Sequence, residues 1–83
     1  MNRIGAAANT IVPVILELEK AGFVISATED GEILSATRGE DVYVAQEPEA
    51  ILGLVKLVEL RGWNWKATDA EIDDARARHP WIG

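Results

Sequence analysis

Three carboxylates lie within four residues in the segment Glu29-Asp30-Gly31-Glu32, and such a cluster can bind calcium or transfer protons. A calcium-binding loop needs oxygen ligands at alternate positions and a glutamate at its twelfth position, and this segment provides neither. Glu29 and Glu32 could also act as the acid and base of a glycosidase, but so small a domain offers no evident substrate pocket. The segment therefore predicts a charged turn and no catalytic or metal site.

Other residues that carry chemistry are scarce. The chain has one histidine, His79, and no cysteine, so a metal site would have to be built almost entirely from acids. The segment GEILSATRG (31–39) lacks the spacing and the lysine of a phosphate-binding loop. Ser26 and Ser35 have no histidine near them in the sequence that could activate them as nucleophiles. We expect no enzymatic activity, no cofactor and no metal.

The acidic residues form two groups that the expected chain path sends to opposite ends of the domain. One end gathers the first turn and the start of the second helix, with Glu29, Asp30, Glu32, Glu47 and Glu49. The other end gathers the second turn and the start of the third helix, with Glu40, Asp41, Asp69 and Glu71, and with Asp73 and Asp74 following. We expect partner-binding residues in both groups, namely Glu29, Asp30, Glu32, Glu40, Asp41, Asp69, Glu71 and Asp73.

Part of this acidity has an ordinary structural explanation. Acids at helix N-termini stabilise the helix by about 0.3–1 kcal/mol each, and charged turns prevent pairing between sheet edges. These effects do not explain Glu29 opposite Glu32, because like charges directly opposite each other destabilise a strand pair. We infer from this repulsion that a basic partner neutralises the charge.

Two tryptophans, Trp63 and Trp65, flank Asn64 and can point the same way in an extended segment. They are interpreted either as a plug between the second and third helices or as aromatic anchors for a partner, since tryptophan is enriched at binding hot spots. Both belong to the candidate partner-binding residues. Stacking on single-stranded nucleic acid is not expected, because it needs a basic groove and the net charge is −6.

Helix signals divide the chain into three helical segments. Thr10 as N-cap and Pro13 in the first turn predict a first helix that ends at Gly22. The dipeptide Glu47-Pro48 predicts the start of a second, strongly apolar helix that ends at Gly62. Thr68, followed three residues later by a glutamate, predicts a capping box at the start of a short third helix.

Strand signals lie between the first two helices. The segment FVISAT (23–28) predicts a strand, and Asp30-Gly31 predicts a two-residue hairpin turn that places Ser26 opposite Ser35. In the third strand, VYVAQ (42–46), we expect Val42 and Val44 to face the core after a three-residue loop with a bulge. The fold class is α+β, a single small domain of order α-β-β-β-α-α with a three-stranded antiparallel meander packed on helices. Residues 1–9 are predicted as a flexible N-terminal lead and residues 10–83 as the domain.

The composition sets the broad class of protein. With 83 residues, 48% hydrophobic content and no cysteine, the chain predicts one small domain in a reducing compartment, and we expect it to be cytoplasmic. No segment is long and apolar enough to predict a membrane span. The charge of −6 repels nucleic acid and attracts basic protein surfaces, including those that bind nucleic acid.

The order of the elements, together with three short segments, resembles the small phage anti-CRISPR proteins that inhibit the RNA-guided DNA nuclease of type II-A systems. The segments are EDVYVAQE (40–47), RGWN (61–64) and TDAEIDD (68–74). The resemblance implies an inhibitor whose acids mimic DNA phosphates at the site where the nuclease reads its short duplex motif. It implies this role for Glu40, Asp41, Asp69 and Glu71.

Two other classes fit the same features. An immunity protein would be equally small and acidic, and it would bind a basic nuclease toxin by electrostatic complementarity. A docking module of a larger assembly can also be a helix–hairpin–helix domain with charged strands. The expected partner is a protein with a basic surface, a CRISPR effector nuclease or a toxin nuclease, with no direct nucleic acid and no membrane. The apolar second helix also allows a homodimer.

Overall fold

Three helices and a three-stranded antiparallel sheet form a small α+β domain, as the sequence predicts. The computed structural model describes residues 1–83. In chain order the elements are α1 (Ile11–Lys20), β1 (Val24–Ala27), β2 (Leu34–Arg38), β3 (Asp41–Ala45), α2 (Pro48–Arg61) and α3 (Asp69–Arg78). The strand order is β1-β2-β3, so β1 and β3 are both edge strands.

The chain before α1 has little regular structure. Residues 1–7 form neither helix nor strand, and Ala8–Thr10 form one turn of 3-10 helix that leads into α1. Thr10 precedes α1 as predicted, but its side chain makes no capping bond to that helix. Its Oγ1 instead lies 2.8 Å from Oε2 of Glu49, which ties the start of α1 to the start of α2. The flexibility of residues 1–9 stays a prediction.

The pairing of β1 with β2 has the predicted register. Ile25 lies opposite Ala36, and Ser26 lies opposite Ser35 with their hydroxyl oxygens 2.8 Å apart. Ala36 is fully buried and both serines lie on the other face. The alternation of apolar and hydroxyl side chains therefore separates an inner from an outer face of the sheet.

The first turn differs from the prediction. The amide of Thr28 donates to the carbonyl of Ile33 at 3.0 Å, which leaves a four-residue loop, 29–32, instead of a two-residue turn. Glu29 and Glu32 belong to this loop and do not form a cross-strand pair. The repulsion that we inferred between them in the sheet is therefore wrong, and it no longer points to a partner.

The second turn is one residue shorter than predicted. Arg38 pairs with Asp41, so the turn consists of Gly39 and Glu40 and contains no bulge. Gly39 has a φ of +63°, which suits the first central residue of a two-residue hairpin turn and favours glycine there. The turn thereby sets the register of β3 one residue away from the expected one.

This shift reverses the two faces of β3, because a one-residue slip moves every side chain of a strand to the opposite face. Val42 and Val44, which we expected in the core, are 50% and 54% exposed on the outer face. Tyr43 takes the core position and is 6% exposed. The expected core role of the two valines is wrong, and both become available as surface.

A small core lies between the inner face of the sheet and helices α1 and α2. It consists of six buried apolar side chains, Leu18, Phe23, Ala36, Tyr43, Ile51 and Val55. The chain has a radius of gyration of 15.1 Å, against about 12 Å for a compact chain of this length. The fold is therefore more open than its length requires. None of its helices has the length and apolar character needed to cross a membrane.

The third helix contributes to this openness. It begins with the predicted capping box: the Glu71 amide donates to Thr68 Oγ1 at 3.2 Å, and the Thr68 amide donates to Glu71 Oε1 at 2.8 Å. No residue of α3 is buried. A single ion pair, from Arg61 Nη2 to Glu71 Oε1 at 3.6 Å, links α3 to the end of α2. The helix α3 thus lies beside the domain and contributes no residue to its core.

Candidate functional site

An apolar groove lies beside the outer edge of β3, and we call it the tryptophan groove. Its lining comes from β3, from α2 and from the segment that follows α2, and all eight side chains are hydrophobic: Val42, Tyr43, Val44, Leu54, Leu57, Val58, Trp63 and Trp65. Its volume is about 190 Å³, below the roughly 300 Å³ at which small-molecule pockets begin. The groove therefore suits individual side chains of a partner better than a whole ligand.

Both predicted tryptophans line this groove, and neither is part of the core. Trp63 is 55% exposed and Trp65 is 41% exposed, which excludes a buried plug between α2 and α3. The Trp63 ring lies against Tyr43, and Tyr43 packs edge-on against Phe23 with ring centroids 5.7 Å apart. The sheet thus supports one face of the Trp63 indole while much of it stays open to solvent, an arrangement that suits an anchor.

Two carboxylates border the groove, and we call them the acidic rim. Glu40 and Asp41 line one concavity together with Val42 and Trp63, and both of these apolar residues also line the tryptophan groove. Neither carboxylate of the rim forms an ion pair. A partner that enters the groove would therefore meet two unpaired negative charges beside an exposed indole.

The cation nearest to the rim in sequence, Arg38, is directed elsewhere. Its guanidinium carbon lies 4.3 Å from the centre of the Phe23 ring, and its Nη1 donates to the carbonyl of Ala21 at 3.1 Å. Arg38 thereby satisfies the carbonyl at the C-terminal end of α1 and stacks on an aromatic face. It forms no ion pair with its cross-strand neighbour Asp41, so the rim keeps its charge.

The acids of loop 29–32 lie at the opposite end of the sheet, beyond the last pair of β1 and β2. Asp30 Oδ1 accepts hydrogen bonds from the Thr28 hydroxyl and from the Glu32 amide. These bonds, that from Thr28 foremost, hold the pKa of Asp30 below its ordinary value. Asp30 therefore stabilises its own loop. Glu29 and Glu32 are exposed and form no ion pair.

As in the loop 29–32, one predicted acid of α3 accepts hydrogen bonds within the domain and the others do not. Glu71 accepts from the Thr68 amide and lies near Arg61, and both neighbours, the amide first, lower its pKa. Asp69 and Asp73 are exposed and form no ion pair. None of these three lines the concavity of the acidic rim. The structure thus joins Glu40, Asp41, Trp63 and Trp65 into one surface, and the other predicted residues lie outside it.

Sequence reasoning predicted the strand that forms the floor of this surface but missed that its valines point outward. Val42 and Val44 line the groove, and so do Leu54 and Leu57 of α2. Gly39 was the available signal, since a glycine at the first position of a two-residue turn would have set Val42 and Val44 outward.

Comparison of the chain with protein-family models, with curated proteins and with solved structures gave no match. The fold and the site define a small α+β domain with a free sheet edge, an apolar groove and an acidic rim. No three side chains of histidine, cysteine, aspartate or glutamate are grouped so that they could hold a metal ion. The resemblance to anti-CRISPR proteins stays a prediction.

Proposed function

We propose that this protein is a non-catalytic inhibitor that binds a basic protein surface with its acidic rim and tryptophan groove. The observation that carries the proposal is the position of Glu40 and Asp41, which are unpaired and share Val42 and Trp63 with an open apolar groove. The charges would orient the partner, and burial of the groove would supply most of the affinity.

The partner class that fits best is a protein that handles nucleic acid. Such proteins line their clefts with lysine and arginine, which contact phosphates. Carboxylates of an inhibitor can take the same contacts, and the net charge of −6 steers it toward the cleft. Once bound, the inhibitor excludes the nucleic acid by occupying its site.

Within that class, the resemblance favours the RNA-guided nuclease of a type II-A CRISPR system. Two of the segments that carry the resemblance, 40–47 and 61–64, contain the acidic rim, the outward valines and Trp63. The segments that suggested the function therefore coincide with the site that the fold assembles. The loop 29–32 is the weaker candidate, because its central carboxylate, Asp30, is already engaged within the loop.

An immunity protein against a basic nuclease toxin is the second candidate, and the tryptophan groove favours it. Mimicry of phosphate needs charge alone, whereas an apolar groove with two half-exposed tryptophans is typical of the centre of a protein–protein interface. In this case the acidic rim would still guide association with the basic toxin.

A cleavage assay tests the first candidate. A type II-A nuclease loaded with guide RNA is mixed with increasing protein before target DNA is added, and we expect cleavage to stop. The double variant Glu40→Lys/Asp41→Lys should lose inhibition. The double variant Glu29→Lys/Glu32→Lys changes the net charge equally and should keep it. No inhibition by the wild type would reject this target, and equal loss in both variants would reject the rim.

Affinity capture from the host lysate, with the same two variants, tests the second candidate. We expect the wild type and the Glu29→Lys/Glu32→Lys variant to retain a basic nuclease that the rim variant does not retain. The captured nuclease is then assayed on DNA and RNA with and without the protein. Capture without loss of nuclease activity would contradict an inhibitory role.

A further inference from the structure

The free edge of β3 has backbone groups that no other segment uses. The two-residue turn closes on the hydrogen-bonded pair Arg38–Asp41, and bonded and non-bonded pairs alternate from there along an antiparallel ladder. By this alternation the N–H and C=O groups of Val42 and Val44 point away from β2. No backbone hydrogen bond from elsewhere in the chain reaches them. Both valines also line the tryptophan groove, so backbone pairing and apolar contact are available side by side.

We propose that the tryptophan groove takes an extended segment of the partner, which adds to β3 as a fourth strand of the sheet. The inference rests on the proposed function, because it states how the same site holds its partner. The added strand would pair with the backbones of Val42 and Val44, and alternate side chains would enter the groove against Trp63 and Trp65. Backbone pairing would supply affinity, and the groove would select apolar side chains.

The acidic rim gives this added strand its expected composition. Glu40 and Asp41 lie at the turn end of β3, and neither has a cation of its own. A segment along β3 therefore carries lysine or arginine at the end that lies beside the turn. Apolar residues occupy alternate positions in the rest of the segment, because the eight side chains that line the groove are all hydrophobic.

A second copy of this chain is the competing occupant of the β3 edge, and the negative charge of the chain disfavours this pairing. Two β3 edges related by a two-fold axis would pair antiparallel. That arrangement brings the rim of one copy, Glu40 and Asp41, toward the far end of β3 in the other copy, where Glu47 follows. Like charges across a strand pair destabilise it, and each copy has a net charge of −6. A basic segment meets no such repulsion.

Selection from a displayed library of random short peptides against the full chain tests the inference. We expect enriched peptides to alternate apolar and polar residues and to have lysine or arginine at one end. On binding, the amide protons of Val42 and Val44 should become protected from hydrogen exchange. A library without enrichment, or enriched peptides that leave these amides unprotected, would overturn the proposal.

Proline variants separate edge pairing from general affinity. Val44→Pro removes an outward N–H and leaves the bonds to β2 intact, and we expect at least about tenfold weaker peptide binding. Ala27→Pro is the matched control, because the same alternation turns its N–H outward on the β1 edge; binding should be unchanged. Circular dichroism confirms that both variants fold. Equal binding by Val44→Pro, or a wild-type dimer that Val44→Pro dissociates, would overturn the proposal.

The two proposals can fail separately. Nuclease inhibition that survives Val44→Pro but not Glu40→Lys/Asp41→Lys would overturn strand addition and leave the proposed function in place. Peptide binding that depends on the Val44 amide, without inhibition of any nuclease, would overturn the proposed function and leave strand addition in place.

Discussion

The indole of Trp63 lies against the phenol ring of Tyr43, with centroids 5.4 Å apart and the ring planes tilted by 32°. Tyr43 is 6% exposed and Trp63 is 55% exposed, so this contact joins the buried core to the open surface of the groove. Because Tyr43 is itself packed against Phe23, the indole has limited freedom before a partner arrives. A side chain that is already ordered loses less entropy on binding.

We expect Trp63→Ala to fold, because half of the side chain is already in water. The lost contact with Tyr43 should lower the free energy of unfolding by about 1–2 kcal/mol, which urea denaturation followed by circular dichroism will measure. Partner binding should fall more than stability, and Trp63→Phe should recover part of both. An unfolded Trp63→Ala chain would show instead that the indole completes the core.

The core itself should be sensitive to single substitutions. Ile51 is fully buried in α2, and Ile51→Ala should cost about 2–5 kcal/mol, because it removes apolar burial and leaves a cavity. Leu60→Ala is the matched control on the same helix, since Leu60 is 74% exposed, and it should change stability by no more than about 0.5 kcal/mol. Thermal unfolding of both variants measures the difference. Equal losses would contradict the placement of the core.

The sequence predicted the architecture because its signals were local. Glu47-Pro48, Gly62 and the Thr68 capping box each lie where the structure begins or ends a helix. The register of β1 with β2 was also predictable, since a shift by one residue would have exposed the inner face. The observed four-residue loop and the predicted two-residue turn give β1 and β2 the same register, so the error in the turn did not affect the predicted strand pairing.

The buried face of the third strand could not be predicted in the same way. Val42, Tyr43 and Val44 are all apolar, so alternation does not decide which face is buried, and the segment RGED fits turns of two or three residues. The acids of the rim were found from sequence because charge is visible there. The groove was not found, because it depends on the position of Trp63 and Trp65 beside β3.

Removal of α3 should leave the rest of the domain folded. A chain of residues 1–66 loses no buried residue, and the one ion pair that links the removed part to the rest, between Arg61 and Glu71, is exposed. We expect its melting temperature to stay close to that of the full chain, with the loss of helical signal that ten residues of helix explain. Unfolding of the truncated chain would show that α3 packs on the domain and stabilises it. Retained partner binding would place the contact in the rim and groove.

Salt should slow association with the partner. Glu40 is exposed, Asp41 is half-buried and neither forms an ion pair, so their attraction to a basic surface is screened as the ionic strength rises. Stopped-flow association rates from low to high salt should fall steeply for the wild type and more gently for Glu40→Lys/Asp41→Lys. A wild-type rate that does not change with salt would indicate an interface governed by the groove alone.

The loop 29–32 gives a prediction about pH that is independent of any partner. The Thr28 hydroxyl and the Glu32 amide lower the pKa of Asp30 in the folded protein. The ionised carboxylate therefore stabilises the folded state. This contribution is fully present above the pKa that Asp30 has in the unfolded chain, and it is lost as the pH falls through the lower pKa of the folded state.

Thr28→Val removes the foremost of these donors, so the pKa of Asp30 should rise toward its ordinary value, and the part of the stability that is lost as the pH falls should become smaller. Titration of the Asp30 side-chain carbonyl by NMR measures the pKa. Thr37→Val, which removes a hydroxyl from β2, is the control and should leave it unchanged. An equal pKa in the wild type and Thr28→Val would show that the hydroxyl does not hold the carboxylate, and the loop acids would then return as candidates for the contact with a partner.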